Sequence, residues 1–242
     1  MDAIRIEHLT KRYKDVTAVD DLCLDVHEGE LFALLGVNGA GKTTTVKMLS
    51  CLTAPSEGDA VLLGHSIRTE AAKVKELIAV SPQETAVAGA LSVEENLLMM
   101  GGVYGFDRAK QKRKAEELTR LLGLESVRRR RAGKLSGGFQ RRLSIAMALI
   151  GEPKILFLDE PTLGLDVLAR SELWELIRTL KSAVTVVLTT HYMEEAEALS
   201  DRVGIMKDGK LLVCDTAAAI KAATGTNTLE QAFIRVVKGA SV

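Results

Sequence analysis

The chain opens on alternation. Residues 3–9 (AIRIEHL) and 22–26 (LCLDV) place apolar side chains at every second position, the period of a strand with one buried face. Residues 30–36 (ELFALLG) form a short apolar run that ends on glycine. From Lys42 to Leu52 the spacing turns helical, and residues 58–64 (GDAVLLG) and 76–82 (ELIAVSP) then read as further strands. The stretch 92–150 is mostly helical in pattern, through SVEENLLMMGGVYG, DRAKQKRKAEELTRLLGL and GGFQRRLSIAMALI. A buried strand at 154–161 (KILFLDEP), a helix at 168–181 and a strand at 183–191 (AVTVVLTTH) come next. Two short strands flank Asp208-Gly209, a hairpin-type turn, and a helix from Thr228 to Lys238 closes the pattern. Strands and helices alternate on both sides of a helical block, which predicts an α/β core carrying a helical insertion. There is no internal repeat and no low-complexity linker.

Composition narrows this picture modestly. At 242 residues the chain fits one large domain or two lobes sharing a core. With 47% hydrophobic and 26% charged residues it belongs to the ordinary globular class rather than the fibrous or disordered ones. The 32 basic and 32 acidic residues cancel, so no global field draws it to nucleic acid. Cys23, Cys51 and Cys214 form no CxxC pair and are expected to be buried free thiols in a reducing cytosol. The first residues carry charge where a signal peptide needs an apolar run. No segment approaches the roughly 20 apolar residues of a membrane-spanning helix, so the chain is not expected to cross a membrane alone.

The candidate chemistry begins at residues 36–44, GVNGAGKTT, which match G-x-x-x-x-G-K-[ST] between a predicted strand and a predicted helix. Glycines let successive backbone N–H groups curl around phosphate oxygens, and the helix N-terminus adds its positive end. Lys42 supplies a mobile charge for the outer phosphates, and the Thr43 hydroxyl is placed to ligate Mg²⁺. A second site is written in ILFLDE, residues 155–160, where Asp159 and Glu160 follow four apolar residues at the C-terminal end of a strand. Ligands of open α/β sheets bind at that edge. Asp159 would hold Mg²⁺ directly or through water, and Glu160 would polarise the water attacking a γ-phosphate. The two sites together point to nucleotide hydrolysis.

Further motifs narrow the field. LSGG (residues 135–138) precedes ILFLDEP, GLD (164–166) follows it, and TTH ends at His191 after another strand. In this order the motifs resemble the nucleotide-binding subunit of ABC transporters, over essentially the whole chain. The resemblance implies a P-loop NTPase, RecA-like α/β core with an N-terminal antiparallel β lobe and an inserted α-helical subdomain. The chain is then a single domain, 1–242. Residues 1–83 and 151–215 form the nucleotide-binding core and β lobe, 84–150 the helical subdomain with the signature motif, and 216–242 a helical tail.

The resemblance also implies roles. ATP would be held by Gly36, Asn38, Gly39, Ala40, Gly41, Lys42, Thr43 and Thr44, with Tyr13 stacking on adenine. Gln83 would join Thr43 and Asp159 at Mg²⁺ and begin the transporter-facing segment. His191 would hydrogen-bond the γ-phosphate and orient Glu160 and the water, so that Glu160, His191 and Lys42 form the catalytic set. Two subunits of this family pair head to tail, identical or related, each ATP lying between one subunit's P-loop and the other's LSGG. Ser136, Gly137, Gly138 and Asp166 would therefore serve the partner's ATP, Asp166 also reading as a helix N-cap. The implied partners are a second ATP-binding subunit and a separate transmembrane permease, on the cytoplasmic face of the membrane, and no nucleic acid. EPTLGLD, LTTHYMEEAEALSDRVGIMKDGK and TLEQAF look most like exporters of drugs, lipids or polysaccharides, the ABC-2 type branch. The alternatives are a soluble ABC ATPase in assembly or nucleic-acid processing, and an ATP-binding regulatory module, against which the intact Glu160 and His191 argue.

Some features depart from the pattern or fall outside it. Val37 replaces a common proline, which a backbone-driven site tolerates. Phe139 stands where the family usually has glutamine and is expected to pack on the facing subunit or the adjacent ribose. The run 128–131 (RRRR) is a solvated charge cluster or raises the potential near the phosphates. Residues 97–105 (LLMMGGVYG) offer either a Met-rich partner surface or core packing.

Overall fold

The computed structural model describes residues 1–181 and 183–239 and contains two sheets. The antiparallel sheet is ordered β2-β1-β4-β5, from β1 (Asp2–Tyr13), β2 (Val16–His27), β4 (Glu57–Leu62) and β5 (His65–Ser66). The second sheet, β10-β9-β3-β8-β7-β6, takes β3 (Leu31–Gly36), β6 (Ile78–Ser81), β7 (Ile155–Asp159), β8 (Thr185–Thr190), β9 (Arg202–Lys207) and β10 (Lys210–Asp215). It is parallel except for the β9–β10 hairpin. Every residue of β3, β7 and β8 is buried, which is why these strands read as continuous apolar runs rather than as alternation.

Period-two geometry divides these central strands between two cores. Phe32, Leu34, Ile155 and Phe157 face the antiparallel sheet and the helix α1 (Lys42–Leu49), together with Ile4, Leu22 and Met48. Leu31, Ala33, Leu35, Leu156 and Leu158 face the other way, into a core shared with the remaining long helices. Those are α3 (Val93–Val103), α4 (Arg108–Leu121), α5 (Gly137–Leu149), α6 (Val167–Leu180), α7 (Met193–Leu199), α8 (Ala217–Thr224) and α9 (Leu229–Val237); a short α2 (Ala71–Leu77) precedes β6. The expected α/β core, antiparallel lobe and helical insertion are all present.

Several details differ from the sequence expectation. The strand expected from residue 76 is only Ile78–Ser81, because residues 71–77 wind into α2, a turn of helix that buries Val74 alone and so carries too weak a period to read. Helix α1 stops at Leu49 rather than Leu52, since Cys51 takes a left-handed φ of 55°. The tail holds α8 as well as α9, and its last residues, 240–242, lie outside the described residues. The three cysteines are free, but Cys23 is exposed and Cys51 and Cys214 only half-buried, because β2 turns its alternate face to solvent.

The helical block is tied at its start. Ser92 and Glu95 form a reciprocal capping box at α3, and Asp107 caps α4 by accepting from Lys110 N at 2.7 Å. Of the arginine run, Arg128 Nη2 reaches Glu94 at 2.6 Å, while the Arg128 and Arg130 carbonyls accept from Glu94 N and Val93 N. The run therefore staples the start of α3. Helix α3 splits its Met-rich face: Leu97 is buried, whereas Met99, Val103 and Tyr104 are exposed.

Candidate functional site

The ends of β3 and β7 flank the end of β8, where Leu35 pairs with Thr190 and Asp159 with Thr189. Above them opens a cleft of about 540 Å³ walled by Tyr13, Ala18, residues 38–44, Gln83, Glu160, Leu163 and His191. Its floor depends on glycine for distinct reasons. A Cβ on Gly36 would lie 2.6 Å from Met206 O, and one on Gly41 2.4 Å from Ala18 O. Gly39 and Gly41 also hold φ at 83° and 104°, which L side chains rarely adopt. Gly41 caps α1 without any side-chain hydrogen bond, so the first-turn N–H groups of Lys42, Thr43 and Thr44 face the cleft uncapped.

Lys42 is buried, with Nζ donating to Gly36 O at 2.8 Å and Val37 O at 3.2 Å, and 3.6 Å from Glu160 Oε1. Burial lowers its pKa, against the opposing pull of Glu160 and Asp159. Asp159 ends β7 and accepts from Thr43 Oγ1 at 3.2 Å and from Thr189 Oγ1. Glu160 sits at φ 46°, a left-handed conformation that turns the chain sharply out of the strand, and its N–H donates to both Thr189 O and Thr189 Oγ1 at 3.1 Å. His191 Nδ1 lies 3.2 Å from Glu160 Oε1 but out of line for a hydrogen bond, leaving Nδ1 buried without a partner. The His191 ring rests on Tyr192, with centroids 4.1 Å apart.

Tyr13, at the end of β1, stands 45% exposed on the cleft's rim, with Lys11 Nζ 4.9 Å from its ring centroid. Gln83 enters from the loop after β6. Thr43 and Asp159 oxygens 3.2 Å apart, with the Gln83 amide on the same cleft, make a hard, all-oxygen donor set of the kind that suits Mg²⁺. A separate exposed group, His8, Asp21 and Cys23, lies across β1 and β2, where His8 Nδ1 and Asp21 Oδ1 are 2.7 Å apart.

The other predicted residues lie off these walls. Ser136 and Gly137 begin α5 exposed to solvent, and Gly138 is half-buried. A Cβ on Gly138 would come within 3.2 Å of Ala169 Cβ, so the glycine lets α5 and α6 start side by side. Asp166 is the exposed N-cap of α6, accepting from Ala169 N at 2.9 Å. Phe139 packs partly buried on its own chain's core, with the Arg142 guanidinium 5.4 Å from its ring centroid. Gln140 ties the loop down by donating to Ala132 O at 3.1 Å.

Thr189 is the residue the sequence reading missed at the centre of the site, since it positions both carboxylates. A hydroxyl in an otherwise apolar buried strand was the available signal. Ala18 and Leu163, also missed, carry no chemical signature at all.

A sequence model of the ABC transporter family matches residues 19–163. The chain is 40% identical over 240 residues to the probable multidrug ABC transporter ATP-binding protein YbhF of Escherichia coli, covering 97% of this chain and 41% of that protein. It is 40% identical over 228 residues to the daunorubicin/doxorubicin resistance ATP-binding protein DrrA of Streptomyces peucetius, covering 94% of this chain and 69% of that one. Among solved structures, an ATP-binding subunit of an ABC transporter superposes with TM-score 0.84 at 27% identity, over 97% of this chain and 99% of the other. The dimeric, post-hydrolysis structure of the ATP-binding cassette MJ0796 with ADP and Pi gives 0.79 at 26% identity, over 88% and 98%.

Proposed function

We propose a function from one premise: the chain belongs to the ABC transporter family. It is an ATP-binding and ATP-hydrolysing motor subunit of a membrane exporter, working as a head-to-tail pair around two ATP molecules. The observation that carries this reading is a divided site. The P-loop, Glu160 and His191 meet at one cleft with Asp159 bonded to Thr43 behind it, while Ser136 and Gly137 stand exposed off its walls. A signature surface that its own cleft does not use is complementary to the cleft of a second copy or a related subunit.

In this reading the uncapped N–H groups at the start of α1 and the Lys42 ammonium bind phosphate oxygens. Thr43, Gln83 and Asp159 hold Mg²⁺, which when bound neutralises charge on the phosphates. Glu160 accepts the proton of the attacking water, and Thr189 keeps its backbone in place to do so. His191, 3.2 Å from Glu160 and with an unspent ring nitrogen, orients Glu160 and the water. Tyr13 offers its exposed face to adenine.

The membrane partner docks beside this machinery. A groove of about 470 Å³ runs past Leu52, Pro82, Met100, Tyr104 and Met147, largely apolar and next to the Gln83 loop. In this reading a permease supplies the pore and this chain sits at the membrane face; no helix among the described residues is long and apolar enough to cross a membrane. The chain spans about two fifths of the first relatives it matches. The multidrug and doxorubicin names of relatives support an apolar drug or lipid as cargo.

The test is phosphate release by the purified chain in Mg²⁺ and ATP, with Lys42→Ala beside it. The variant should lose turnover by at least about 100-fold, the scale of removing a preorganised charge at a phosphoryl site. Equal release by both proteins would sink the assignment.

A further inference from the structure

Helix α5 begins with the signature residues, and one turn later it carries a buried arginine. Arg141 is 4% exposed, although arginine seldom is. Its fork is spent on the backbone of another element: Nη1 donates to Pro82 O at 2.6 Å and Nη2 to Gln83 O. Beside it, Ser144 on the same helix meets Ser81 of β6 through a buried hydroxyl pair at 3.0 Å. Burial disfavours the guanidinium charge, while Asp159 and Glu195 favour it. The cation thus lies between the metal-site carboxylate, the Gln83 loop and the signature helix.

We propose that Arg141 is a positioning residue that couples this chain's own metal site to its signature surface. Gripping two consecutive carbonyls, it sets how far the Gln83 side chain reaches into the cleft. It also obliges α5, with Ser136–Gly138 at its tip, to follow any shift of that loop. Occupancy of a chain's own cleft is thereby transmitted to the surface it presents to the partner's ATP, and the reverse holds by linkage. The inference rests on the roles proposed above for Gln83 and Ser136.

Arg141→Lys keeps the charge and most of the stem but cannot fork across two carbonyls. In the full chain it should remain folded, with a somewhat lower melting temperature, and bind ATP equally well without Mg²⁺. Its Mg²⁺ half-saturation for phosphate release should rise by about 10-fold or more, the usual penalty for losing a group that orients a metal ligand. In a Glu160→Gln background it should also weaken ATP-driven dimerisation. A half-saturation and a dimerisation both within about twofold of the wild type overturn the proposal.

A measurement that leaves position 141 intact guards against a variant that fails to fold. Amide exchange at residues 137–141 of dilute protein in ADP should slow on adding Mg²⁺, and that response should vanish in Gln83→Ala, a change in an exposed loop. No Mg²⁺ response in the wild type overturns the coupling. A wild type that releases no phosphate sinks the underlying reading. One that hydrolyses ATP while Arg141→Lys matches it in Mg²⁺ response sinks this proposal alone.

Discussion

Phe139, a side chain beside a motif, has packing of its own within the fold. It follows the signature glycines, yet its ring is partly buried against its own core and lies near the Arg142 guanidinium. Phe139→Gln should therefore cost about 1–2 kcal/mol of stability, the value of half-burying an aromatic, visible as a lower urea midpoint. Turnover should stay within about threefold, because Ser136 and the glycine backbone are untouched. A variant with unchanged stability and sharply reduced turnover would return Phe139 to the subunit interface. Glycine is the opposite case. Gly41 is dictated twice, by its φ of 104° and by Ala18 O at 2.4 Å from any Cβ, and the first of these demands was readable from the motif.

At the scale of elements, the junction of α6 and α7 holds a carboxyl the motifs do not mention. Glu195 is fully buried, and Trp174 Nε1 donates to its Oε1 at 3.1 Å. Burial pushes its pKa up; the Thr190, Thr162 and Trp174 side chains and the charge of Arg170 pull the other way. A carboxyl whose folded value is raised binds its proton more tightly when folded. Its stabilising contribution is complete below the unfolded value and lost as pH rises through the folded one. Glu195→Gln keeps the oxygen that Trp174 uses and removes the charge. It should be more stable than the wild type near pH 7, with the advantage shrinking toward pH 4. Melting temperatures of the pair across that range test this, and a constant difference would mean that Glu195 titrates alike in the folded and unfolded chain.

At the scale of the whole molecule, the proposed function makes the chain one half of a pair. Glu160 and Lys42 lie 3.6 Å apart in the cleft, and a carboxylate there repels the γ-phosphate that draws two subunits together. Glu160→Gln removes that repulsion along with the proposed base. In ATP and Mg²⁺ the variant should elute from a sizing column as a dimer, and in ADP as a monomer, a two-state element biased by one phosphate. A variant that remains monomeric in ATP contradicts the head-to-tail pairing.

The sequence by itself determined the parts whose physics is local. Alternation and apolar runs laid out both sheets, and G-x-x-x-x-G-K-T between a strand and a helix specifies a phosphate loop wherever it occurs. ILFLDE places two carboxylates at a strand end because buried parallel strands read as unbroken apolar runs. Helix α2 was not legible, since seven residues with one buried side chain have no period to detect. Only the tertiary structure decided what touches what across the chain. Thr189 reaches Asp159 from 30 residues away, and Arg141 reaches Pro82 from 59. The burial of Phe139 and the exposure of Cys23 likewise follow from which face each element turns inward. Such contacts depend on strand order and helix placement rather than on neighbouring residues, and no local pattern encodes them.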